Sequence, residues 1–128
     1  ARKHGYTETL FGRRRQFPEM KSSLPYVRAQ AERMAINAPI QGTQADIIKL
    51  AMVRIDDLLR KEGKQDDAHL LLQVHDELVY EIRTEEVAEL GAKIKQIMES
   101  VLPMSETRGV PITATMKAGK DWGSMQPL

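Results

Sequence analysis

The sequence predicts an α+β fold, a small antiparallel sheet covered by about three helices. Three observations predict it. Two apolar, strand-like runs, Leu70-Leu71-Leu72-Gln73-Val74 and Leu78-Val79-Tyr80-Glu81-Ile82, flank the polar group His75-Asp76-Glu77, the pattern of a hairpin. Apolar residues recur at three- and four-residue intervals through 40–59 and 87–101, the period of a helix with one buried face. Residues 111–117 alternate Ile112, Ala114 and Met116 with Thr113 and Thr115, the two-residue period of a strand.

Each element follows in order. Residues 6–17 alternate weakly and are interrupted by Gly12, which reads as a short hairpin or loop ending near Pro18. Ser22-Ser23-Leu24-Pro25 is a helix start, a hydroxyl followed by proline in the first turn. That helix is expected to stop near Asn37, because Pro39 breaks it and opens a second one. The second carries Ile40, Ile47, Ile48, Ala51, Ile55, Leu58 and Leu59 on one face and closes at Gly63. After the hairpin, Thr84 is placed as the cap of a third helix, with Glu85 and Glu86 favouring its dipole. Its stripe is Val87, Leu90, Ile94, Ile97, Met98 and Val101, with Gly91 on the same face. Trp122 is expected to anchor the tail on the core. Three strands are few, so the sheet is expected to be part of a larger one.

At 128 residues the chain is one domain's worth of sequence. Without cysteine it has no disulfide framework and no thiolate zinc site, which is consistent with a reducing compartment. No apolar run is long enough to span a bilayer, and no secretory signal opens the chain, so no membrane partner is expected. The net charge of +1 conceals an asymmetry. Residues 1–33 hold eight bases and three acids, whereas the remainder holds eleven bases and fifteen acids. A basic end and an acidic end can serve a polyanion and a cation respectively, or be a solvated surface of mixed charge.

The residues with most chemistry are Asp76 and Glu77. In a regular strand adjacent side chains point to opposite faces, so the two carboxylates converge only if the backbone turns between the strands. They form either an exposed turn or half of a Mg²⁺ site completed elsewhere, since Mg²⁺ takes one or two carboxylates plus waters and phosphates. His75 beside them can be a base, a ligand or a donor to nucleic acid, or simply solvated. Arg13-Arg14-Arg15 is a compact cationic block that suits phosphate, with Tyr6 and Phe11 flanking it as stacking groups or local core. Asn37, Gln41 and Thr43 cluster around Gly42 at the expected helix break, as phosphate and base-edge contacts or as a cap. Asp46 and Lys49 read as a surface pair.

Together these segments resemble the C-terminal part of family A DNA polymerases, the DNA polymerase I type. The matching stretches are Gly5-Tyr6-Thr7-Glu8-Thr9-Leu10-Phe11-Gly12-Arg13-Arg14-Arg15, Glu32-Arg33-Met34-Ala35-Ile36-Asn37-Ala38-Pro39-Ile40-Gln41-Gly42-Thr43 and Gln73-Val74-His75-Asp76-Glu77-Leu78. They stand in the family's order and spacing. The resemblance implies residues 1–24 as a fingers-proximal basic hairpin or loop and 25–128 as a palm-like portion. It implies Asp76 as the carboxylate of a two-metal Mg²⁺ site, with Glu77 beside it. His75, Gln73, Asn37 and Gln41 match contacts to primer-template DNA, and Arg33 with Arg13, Arg14 and Arg15 match positions near its backbone. The implied reaction is attack of a primer 3′-hydroxyl on a deoxynucleoside triphosphate, in a cytoplasmic, nucleoid-associated protein.

Two departures qualify the resemblance. Gln44 stands where the family more often has alanine. The family's other palm aspartate, in a motif Asp-Tyr-Ser-Gln-Ile-Glu, and its triphosphate-gripping fingers helix have no counterpart here. The chain therefore reads as a fragment that holds metal poorly and does not extend a primer alone. The alternatives are a non-catalytic nucleic-acid-binding module and a scaffold that self-associates through an exposed sheet edge.

Overall fold

The computed structural model describes residues 1–128. Its main elements are β1 (Tyr6–Glu8), β2 (Arg14–Gln16), α1 (Pro25–Lys61), β3 (Ala68–Val74), β4 (Glu77–Ile82), α2 (Val87–Glu99), β5 (Lys117–Ala118) and β6 (Gln126–Pro127). The α+β class holds, with two corrections of number. There are two α-helices rather than three, and the strands form three separate two-stranded antiparallel sheets. The chain divides into two compact units, Ala1–Asp46 and Ile47–Leu128.

In the first unit β1 and β2 pair with Tyr6 opposite Gln16 and Glu8 opposite Arg14. Gly12 sits in their connection at φ 85°, a conformation that costs glycine nothing. Phe17, only 2% exposed, packs with Ala35 and Ala38 of α1, and Met20 adds to the cluster. The helix starts at Pro25 as expected, and the Leu24 N–H donates to Ser22 Oγ at 3.2 Å. The expected break at Pro39 does not occur, for Pro39 lies inside α1. An interior proline forfeits a backbone bond and costs about 3 kcal/mol. Burial of Ala35 and Ala38 against Phe17 opposes that cost.

In the second unit the later turns of α1 bury Ala51, Ile55 and Leu59 with Ala68, Leu90, Ile94 and Val101. Ile55 and Leu90 are fully enclosed, each contributing about 1.5–3 kcal/mol. Ile40, assigned to this stripe by its spacing, is instead 72% exposed, because its stretch of α1 lies in the first unit. Gly63, at φ 67°, closes the helix as expected, and Lys64 N–H donates to the Leu59 carbonyl at 2.8 Å.

The β3–β4 ribbon contains a bulge. Leu70 pairs with Tyr80 but Leu72 pairs with Val79, so Leu71 is an extra residue. Thr84 opens a short 3₁₀ turn and makes no capping bond; α2 itself begins at Val87. The α2 stripe is buried as expected at Leu90, Gly91 and Ile94, and the absent side chain of Gly91 leaves room for Met116.

The expected strand over 111–117 is corrected. Its alternation is real, with Ile112, Ala114 and Met116 half-buried between exposed threonines, but only Lys117–Ala118 pairs, and with β6. Pro111 has no N–H to donate, and the Ala114 N–H goes to Glu99 Oε2 at 3.2 Å instead of a neighbouring strand. Trp122 is corrected too. It is 56% exposed in a single 3₁₀ turn, which Asp121 closes by accepting from Ser124 N–H at 2.9 Å. No helix is long and apolar enough to cross a membrane.

Candidate functional site

The cationic block lies on the β1–β2 hairpin, and each arginine has a distinct environment. Arg13 donates from Nε to Asp46 Oδ1 at 2.8 Å and from Nη2 to the Gly42 carbonyl at 3.1 Å. Arg14 donates from Nε to Glu8 Oε1 at 2.6 Å, and its guanidinium lies 4.3 Å from the Tyr6 ring centre. The hydrogen bond that Arg14 donates to Glu8, helped by the nearby Tyr6, raises the Arg14 pKa. Arg15 lies over the Phe17 ring at 5.1 Å. Arginine stacked on an aromatic face keeps its charge exposed while its planar group is oriented. Tyr6 thus serves as a platform for Arg14, and Phe11, 39% exposed, remains at the surface.

Within this unit a shallow cavity of about 200 Å³ is lined by Thr7, Arg13, Arg14, Arg15, Gln41 and Gly42. The continuity of α1 changes how its polar residues relate. Arg33, Asn37 and Gln41 stand at four-residue steps on one uninterrupted helix, so they share one exposed face. The expected break would have put Asn37 and Gln41 on separate elements, with Asn37 as a cap. Ile36 and Ile40 stand near them, 71% and 72% exposed. Gln44 is also exposed.

Asp46 departs most from expectation. It is not a surface partner of Lys49 but a buried carboxylate, 9% exposed, that accepts from Arg13 and from Thr9 Oγ1 at 2.8 Å. Its partners lie 33 and 37 residues earlier, so no helical period could reveal them.

In the second unit the β3–β4 ribbon reverses between Val74 and Glu77, which pair with each other. His75 and Asp76 therefore form the two-residue tip, and His75, Asp76 and Glu77 are all exposed. His75 has φ 52°, in the left-handed region that histidine enters more readily than branched residues. Gln73 Nε2 donates to the His75 carbonyl at 3.2 Å, tying the tip to the strand behind it. The backbone therefore reverses at Asp76, immediately before Glu77. Their oxygens are the donor type that Mg²⁺ takes, and two carboxylates suit an ion that draws its other ligands from waters and phosphates. Nowhere in the chain do three or more His, Asp or Glu side chains gather as a metal cage. Asp76 and Glu77 fit as part of a coordination shell.

Sequence reasoning also missed the polar clasp behind the ribbon. Lys64 Nζ donates to Glu86 Oε1 at 2.8 Å, and Arg83 Nε donates to Asp67 Oδ1 at 2.8 Å. The Glu86 bond raises the Lys64 pKa against the opposing effect of burial. Opposite charges at 64, 67, 83 and 86 were the available signal.

The family model for DNA polymerase family A matches residues 1–124. The chain is 47% identical over 121 residues to the thermostable DNA polymerase I of Thermus filiformis, covering 94% of this chain and 14% of that protein. It is 46% identical over 123 residues to DNA polymerase I of Rhizobium leguminosarum, covering 95% of this chain and 12% of that protein. Among solved structures it matches the POL domain of Pol1 from M. smegmatis in complex with DNA primer-template and dNTP. There the TM-score is 0.78 and the identity 47%, over 87% of this chain and 18% of that one. The chain thus spans a small part of the relatives it matches. Hairpin, long helix and carboxylate turn all lie within the matched residues, and the chain belongs to DNA polymerase family A.

Proposed function

We propose that the chain supplies part of the polymerising site of a DNA polymerase, which transfers nucleotides from deoxynucleoside triphosphates to a primer 3′-hydroxyl. The observation that carries the reading is the exposed tip of the β3–β4 ribbon, in a chain of this family, with His75, Asp76 and Glu77 on consecutive positions. Asp76 is the principal metal-holding carboxylate and Glu77 its support. Mg²⁺ bound there would stabilise charge on the attacking and leaving oxygens. The chain's own residues hold and orient. His75 and Gln73 present donors to the primer-template at the tip, while Asn37 and Gln41 present amides from one helix face. Arg33 and the hairpin bearing Arg13, Arg14 and Arg15 lie along the phosphate backbone.

Two carboxylates alone make a thin site, so the isolated chain binds Mg²⁺ weakly and does not extend a primer. The complete protein works at the nucleoid, in the cytoplasm. The test is a chimera in which this chain replaces the matching segment of the Thermus filiformis enzyme. Asp76→Asn in that chimera is expected to lower primer extension by about 10³-fold, the loss seen when a transition-state electrostatic contact is removed, with DNA affinity kept. Extension at the unsubstituted rate would refute the metal role.

A second reading, self-association, has one observation in its favour. The β3–β4 ribbon has only two strands, and Leu70, Leu71 and Leu72 are all exposed on it.

A further inference from the structure

We infer that Asp46 is a positioning residue that latches the basic hairpin onto α1 through Arg13 and Thr9, and so holds Arg14 and Arg15 in place for DNA. The inference deepens the DNA-binding reading of the hairpin and rests on it.

Three residues of α1 each receive a bond from the hairpin. Gly42 accepts from Arg13 Nη2 at 3.1 Å, Thr43 Oγ1 accepts from Leu10 N–H at 3.1 Å, and Asp46 accepts from both Arg13 and Thr9. Both carboxylate oxygens of Asp46 are used, Oδ1 by Arg13 Nε and Oδ2 by Thr9 Oγ1, each at 2.8 Å. Asp46 is the chain's buried charged residue, so its pairing with Arg13 is a condition of its burial. Only a planar guanidinium can address the carboxylate with one nitrogen and the helix carbonyl with another in this geometry. Gly42 completes the fit, since a β-carbon there would lie 2.7 Å from Thr9 Cγ2.

A hairpin of two three-residue strands is marginal by itself. Its docking on α1 therefore decides whether Arg14 and Arg15 hold fixed positions. Fixed cations bind a polyanion without the ordering cost that loose ones incur.

The experiment is salt-titrated duplex-DNA binding by the 128-residue chain, with hydrogen exchange read at the hairpin amides. Asp46→Asn removes a negative charge, which by charge alone tightens binding to DNA. The latch gives the opposite result, about tenfold weaker binding from a lost charge-assisted contact. It also gives a salt slope reduced by about two phosphates' worth and faster exchange at the Thr9 and Arg13 amides. Arg14→Ala, which leaves the bonds to Gly42, Thr43 and Asp46 in place, is expected to lower the slope by about one, half the loss from Asp46→Asn.

Gly42→Ala changes no charge and is expected to reproduce the Asp46→Asn loss. Adding Thr9→Ser, which keeps the hydroxyl and deletes the clashing methyl, is expected to restore both binding and protection. This pair decides the question if Asp46→Asn fails to fold. Asp46→Asn that binds as tightly as the unsubstituted chain with protected amides, or Thr9→Ser that rescues nothing, overturns the latch. A chain with no salt-dependent DNA binding overturns the DNA reading instead, and the exchange data then decide the latch separately.

Discussion

His75 keeps its backbone in the left-handed region, where a β-carbon crowds the following carbonyl. A turn selected for stability alone would carry glycine or asparagine there. We predict that His75→Gly raises stability by about 0.5–1 kcal/mol, relief of strain outweighing glycine's greater chain entropy, while DNA affinity falls. Chemical denaturation alongside DNA binding checks this, and lower stability would show that the turn is not strained. At this scale the exposed polar residues were legible: His75, Asp76, Glu77, Asn37, Gln41 and Arg33 all lie at the surface, as their types and neighbours foretold. Asp46 was not. Its meaning comes from Thr9 and Arg13, distant in sequence and brought to it only by the docking of a hairpin.

Among the elements, the apolar period of α2 and the hairpin were legible because burial on one face repeats locally. The helix through Pro39 and the unpaired stretch before Lys117 were not, because each depends on contacts made elsewhere. Propensity argues for a break at proline, and packing of Ala35 and Ala38 overrides it. Alternation argues for a strand at 111–117, but alternation says nothing about a partner ladder. The ribbon's exposed leucines carry a prediction at this scale. If β3 drives self-association, Leu71→Lys leaves stability within about 0.5 kcal/mol, as for most surface changes, and abolishes concentration-dependent sedimentation. Unchanged sedimentation would remove that reading.

For the molecule as a whole, Tyr80 gives stability a dependence on alkaline pH. Burial, with the charge of Asp56, pushes the Tyr80 phenol up to about 12. In the unfolded chain the same group ionises near 10, so above that pH the unfolded state has lost a proton that the folded state keeps. The contribution is complete below about pH 10 and is lost as pH rises toward about 12. Lys64 and Lys93, both raised chiefly by hydrogen bonds to Glu86 and Glu62, weaken the fold in the same direction. Unfolding measured across this range should show stability falling, and Tyr80→Phe should flatten part of the fall. An identical profile in the variant would assign the effect to the lysines alone. The two cores were legible only in part, since the apolar stripe of the later turns of α1 was found but the small Phe17 cluster was not.

Because β3 has seven residues against six in β4, with the surplus at Leu71, sidedness reverses beyond that point. Leu72 and Val74 fall on the flank of Val79 and Glu77, whereas Gln73 falls on that of Leu78. By simple alternation Leu72 would share the flank of Leu70 and Tyr80, and the extra residue carries it to the other. A hydrocarbon side chain with no partner across the ribbon thus decides which flank the last three residues of β3 present.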